Sequence, residues 1–163
     1  MTVVSDNSPL SALAETGQHN LLQWLYGQII VPQAVVRESL HLRAPAALRT
    51  FMMNPPSWLQ IVPDPPLLPE TAALDPGESA AISLAWRCRD DVLLIVDDLA
   101  ARHLCVALGI KHAGTAGVLL NAALRGLVDF ETAITKLQAT RFRLTNKVVE
   151  ELRSGLQGPA KDS

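Results

Sequence analysis

"VLLIVDD", residues 92–98, is a run of five apolar residues closed by two carboxylates. Its length, its β-branched content and its abrupt acidic stop mark a strand buried on both faces. Strands of that kind belong to parallel sheets covered by helices on both sides. The chain on either side supports this reading. Thr2–Ser5, Ile29–Val31, Trp58–Val62 and Ile110–Ala113 also read as strands. Helical patterns separate them: Pro9–Thr16, His19–Tyr26, Pro32 to about Leu42, Ala46–Met53, Pro76–Arg87, Leu99–Leu108 and Ala116–Arg125. Phe130–Ala139 and Asn146–Gly155 complete the helices. Ser8 stands at the expected cap of the first helix, with Pro9 in its first turn and Gly17 as its stop. The fold expected is α/β, one domain over residues 1–155, with a fraying tail over residues 156–163. "PDPPLLPETAALDPGE", residues 63–78, reads as a surface loop, not a linker, because neither flank looks self-sufficient.

Composition narrows the function. With 48% apolar and 18% charged residues the chain has a globular balance, not a disordered one. No apolar run reaches the roughly 18–20 residues of a membrane span. No signal peptide is recognisable, and the expected location is the cytoplasm. Cys88 and Cys105 form no Cys-x-x-Cys pair, and His19, His41, His103 and His112 show no ligand spacing, which sets a zinc enzyme aside. Net charge is −2, so a wholly basic nucleic-acid binder is excluded. Charge is uneven, however: residues 1–86 carry 3 basic and 7 acidic side chains, residues 87–163 carry 11 and 9.

In parallel sheets the working groups gather beyond the carboxyl ends of the strands. Asp6 follows the first strand, and Asp97 and Asp98 follow "VLLIV". With Ser8 as the helix cap, Asp6 has no local role. Glu38 falls on the apolar stripe of its helix, with Val35 three back, Ala34 four back and Leu42 four on. Glu78 shares a face with Ala81, Ile82 and Ala85. Each has a plainer reading: Glu38 as a side chain snorkelling past the core edge, Glu78 in a capping box with Asp75, and Asp97 or Asp98 as cap of the next helix. Together, carboxylates at one rim repel and persist charged only beside a cation. An all-oxygen donor set favours Mg²⁺ or Mn²⁺, which can activate water for attack on a phosphodiester.

"VSDNSPL", "VPQAVVRE", "LDPGESAAISLA", "LLIVDDLAAR" and "GTAGVLLNAALRG" come in the order and spacing of a PIN-domain protein. The chain resembles that family over nearly all of residues 2–155, and more narrowly a branch close to VapC-like toxins. The resemblance implies a PIN-like α/β/α sandwich around a central parallel sheet, and a Mg²⁺- or Mn²⁺-dependent ribonuclease. It matches Asp6, Glu38 and Glu78 to the first three family carboxylates and Ser8 to a small hydroxyl residue lining the site. The third is often Asp in the family. The family's Thr-x-Asp pattern selects Asp98 as the fourth, but Val96 replaces the Thr, so Asp97 stays a candidate. The resemblance also implies a homodimer and a cognate antitoxin. Arg87, Arg102 or the Arg141/Arg143 pair would hold the RNA backbone. Gly114-Thr115-Ala116-Gly117 lacks the Gly-Lys-Ser/Thr of a P-loop and reads as a strand–turn–helix junction. Two alternatives stand beside the endoribonuclease: a PIN-like binding module that no longer cuts, and a nuclease of DNA or structured RNA ends.

Overall fold

The computed structural model describes residues 1–157. Its strands are β1 (Thr2–Ser5), β2 (Ile29–Pro32), β3 (Leu59–Val62), β4 (Val92–Ile95) and β5 (His112–Ala113). They form one parallel sheet in the order β3-β2-β1-β4-β5. β1 and β4 are the central pair, in register from Thr2 opposite Val92 to Ser5 opposite Ile95. The chain leaves β1 towards β2 and β3, then returns across the sheet to β4. The rim between β1 and β4 is therefore the switch point where open α/β sheets form a crevice.

Alternation along the strands builds two cores. Val3, Ile29, Val31, Leu93 and Ile95 face one side. They pack with α1 (Asn7–Glu15), α2 (Asn20–Tyr26), α4 (Ala46–Met53), α7 (Thr115–Leu124), α8 (Phe130–Gln138) and α9 (Asn146–Gln157). Val4, Val92, Leu94 and Val96 face the other side, against α5 (Pro76–Arg87) and α6 (Leu99–Leu108). All five residues of the Val92–Val96 run are buried because helices cover both faces. The fold is the expected α/β/α sandwich. Small residues on α5 (Gly77, Ala80, Ala81, Ala85) let that helix lie close to the sheet.

Several boundaries differ from the sequence reading. α1 starts at Asn7, so Asp6 and not Ser8 occupies the cap position. Its stop is as expected: Gly17 has φ +68° and donates to the Ala14 carbonyl, while Gln18 donates to that of Leu13. Pro32 ends β2 instead of opening a helix, and α3 (Gln33–Ser39) begins after it. The cap of α3 comes from Asp64, thirty residues on, which accepts from the Ala34 N–H at 2.8 Å and pairs with Arg37 at 2.6 Å. α3 stops at Ser39, whose hydroxyl returns to the Val35 carbonyl. Leu42, expected on its apolar stripe, is 85% exposed. α9 runs to Gln157, and Leu156, assigned in sequence to the fraying tail, packs on the core. The rest of that tail, residues 158–163, lies outside the described residues.

Candidate active site

Asp6 leaves β1 with its N–H bonded to the Ile95 carbonyl of β4, which fixes it at the switch point. Its side chain makes no cap bond, is only 3% exposed, and leaves Oδ1 with no hydrogen-bond partner. Burial pushes its carboxyl up to about 7. The Asn7 backbone N–H counters this in part, and the charges of Asp75, Glu38 and Asp97 add to the rise.

Glu38 reaches the same region from α3. Its Oε1 accepts from the Gly77 N–H at 2.8 Å and its Oε2 from the Asn7 side-chain amide at 2.9 Å. Ser39 Oγ donates to the other end of that amide. Asn7, in the first turn of α1, thus holds a residue 31 positions away. Gly77 allows the close approach: a Cβ there would overlap the Glu38 carboxylate and lie 2.9 Å from its Cδ. Glu38 also titrates above the usual range, through burial first.

Asp75 and Glu78 open α5. Asp75 caps the helix, accepting from the Glu78 N–H at 2.7 Å. The Glu78 carboxyl is pushed up to about 9 by burial, by its hydrogen bond with Asp75, and by the charges of Asp75, Asp6 and Asp98. On the β4 side, Asp97 and Asp98 divide the work. Asp98 caps α6 through the Ala101 N–H at 2.9 Å. Asp97 crosses to α7, where Oδ1 accepts from the Thr115 N–H at 2.8 Å and Oδ2 from the Thr115 hydroxyl at 2.7 Å. Burial raises the Asp97 pKa in spite of those bonds and of the nearby Arg102 charge.

Asp6, Glu38, Glu78, Asp97 and Asp98 therefore gather at one rim, joined by Asp75. None of the six makes an ion pair among the described residues. A cleft of about 950 Å³ opens beside them, lined by Glu78, Asp97, Asp98, Ser8, Arg102, Arg141 and Arg143. Glu38 borders a separate depression with Arg37, His41 and Arg43. Arg87 does not join the site. It ends α5, a helix of 12 residues whose first turn meets Glu38, and so lies roughly 15 Å away along the axis. Sequence reasoning missed Asn7 and Thr115, and treated Asp75 only as a cap. Their partners lie 31 and 18 residues away for the first two, and no local pattern marks them.

The donor set suits a hard divalent cation in kind: all oxygen, net negative, with one buried oxygen unpartnered. In their present positions no three acidic, histidine or cysteine side chains among the described residues converge as an ion-binding group. Among the described residues, no helix is long and apolar enough to cross a membrane.

A parallel sheet with carboxylates at its switch point places a candidate site where open α/β sheets form theirs. A PIN-domain family matches residues 2–157, and the chain belongs to that family. PIN domains are generally nucleases. Neither the comparison with curated proteins nor that with solved structures gave a match.

Proposed function

We propose that the protein is a Mg²⁺- or Mn²⁺-dependent endoribonuclease. One observation carries this reading: six carboxylates share a rim, none of them makes an ion pair among the described residues, and the most buried, Asp6, has an oxygen with no partner. Asp6, Glu38, Glu78 and Asp97 would hold the ion, with Asp98 and Asp75 contributing charge. The bound ion would neutralise the phosphate and lower the pKa of an attacking water. Asn7, Gly77 and Thr115 orient Glu38 and Asp97. Glu78 lines the cleft and is assigned the water's proton. Arg102, Arg141 and Arg143 face the same cleft and would bind RNA phosphates.

The role of toxin, with a homodimer and a cognate antitoxin, is carried by the sequence resemblance to VapC-like proteins. A second reading, a module that binds without cutting, is favoured by Glu38 and Asp97 each having both carboxylate oxygens engaged by protein donors. One experiment separates the two. Wild type and Asp6→Asn are incubated with a mixed RNA pool and Mn²⁺ or Mg²⁺, each beside an EDTA control. Metal-dependent cleavage by wild type alone supports the nuclease. Equal cleavage by both points to a contaminant. No cleavage, with no Mn²⁺-dependent rise in melting temperature, supports the module.

A further inference from the structure

The cleft does not end at the carboxylates. At Glu15 and Pro45, which line both, it adjoins a second hollow of about 380 Å³ whose lining includes Arg43 and Arg141. Neither guanidinium makes an ion pair among the described residues. Glu15, also at the hollow, accepts a hydrogen bond from Ser11. With Glu15 offsetting one of the two guanidinium charges, the lining keeps a net charge of +1, which favours an anion.

Both arginines sit on anchored backbone. Arg141 lies in the connection from α8 to α9, where Phe142 and Leu144 pack on the core while Arg141 and Arg143 stay exposed. Arg43 lies in the short turn between α3 and α4, beside Ala44, which packs on the core and donates its N–H to the His41 carbonyl at 2.9 Å. Such placement lowers the ordering cost of gripping a ligand. We infer that the hollow between Arg43 and Arg141 is a second phosphate subsite, which holds an RNA strand away from the bond that is cut. The inference rests on RNA being the substrate.

The test uses the Asp6→Asn chain, with and without Arg43→Ala, and two labelled single-stranded RNAs, a trinucleotide and a dodecanucleotide. Anisotropy is followed over a salt series. Arg43→Ala should weaken dodecanucleotide binding roughly fivefold and lower the slope of log K against log salt by about 0.7. Trinucleotide binding should stay within about twofold, since one short strand need not reach both sites. Arg43→Lys should bind as the parent does, because charge is the requirement. Arg89→Ala is the control, since Arg89 stacks on Trp86 at the far end of α5. Unchanged affinity and slope in Arg43→Ala would overturn the subsite and leave the nuclease standing. Preference for an acidic peptide over RNA of equal charge would also overturn it. Arg43-dependent RNA binding without any cleavage by wild type would keep the subsite and remove the nuclease.

Discussion

Asp6 combines burial, a raised pKa and an oxygen, Oδ1, with no hydrogen-bond partner. An unsatisfied buried polar group costs on the order of 1–3 kcal/mol, and a structure tolerates that where the group serves a purpose. Asp6→Asn keeps the shape and removes the charge. Its metal-free melting temperature at pH 8 should equal or exceed that of wild type, while cleavage and the Mn²⁺-dependent rise in melting temperature are lost. A thermal scan with and without Mn²⁺, beside an activity assay, checks this; a retained shift would remove Asp6 from the ligands. Gly77 gives an independent test. Ala is the better helix former by roughly 1 kcal/mol, so Gly77→Ala should fold with stability within that margin. Its Cβ would displace the Glu38 carboxylate, and cleavage should fall at least tenfold, on the order of the loss of one well-placed catalytic group. Full activity in Gly77→Ala would remove Glu38 from the site.

Helix starts set the site at the scale of elements. α5 and α6 begin on Asp75 and Asp98 as their own caps, α7 begins on Asp97 from another element, and α1 begins after Asp6 without a side-chain cap. A cap supplied by the residue just before its helix is a local bond and is legible in sequence, as Asp75 before Pro76 shows. The division between Asp97 and Asp98 is not local, because it depends on where Thr115 arrives after β5. It yields a contrast that stability and activity together resolve. Asp98→Ala should cost about 1 kcal/mol as a lost cap, and Asp98→Asn, which keeps an acceptor, much less. Asp97→Asn should lower cleavage more than Asp98→Asn does. Chemical denaturation and initial rates measure both, and a larger activity loss at Asp98 would reverse the assignment. Arg87 teaches the same lesson: helices that return over a parallel sheet place their two ends at opposite rims, so only the first turn of α5 reaches the site.

For the whole molecule, the shared rim makes stability depend on pH and on divalent ions. Asp6 and Glu78 have folded pKa values of about 7 and about 9, against ordinary values of 3.8 and 4.5. The folded state therefore binds these protons more tightly than the unfolded one. Their contribution is complete below about pH 4 and is lost as pH rises through 7 and then 9. The metal-free protein should melt at a progressively lower temperature from pH 5 to pH 9, and millimolar Mn²⁺ at pH 8 should reverse the loss. A melting temperature flat over that range, with and without Mn²⁺, would contradict it. The sequence by itself determined the layered fold and the candidate carboxylates. An apolar run such as Val92–Val96 states its burial through its own composition, and a carboxylate among apolar residues is conspicuous where it stands. Only the tertiary structure decided that Asn7 and Gly77 hold Glu38, that Thr115 holds Asp97, that Asp75 belongs with the others, and that Arg43 and Arg141 share a hollow. Hydrophobic patterning reports each residue's environment along its own element. Which side chains meet is set by how elements far apart in the chain cross at one rim.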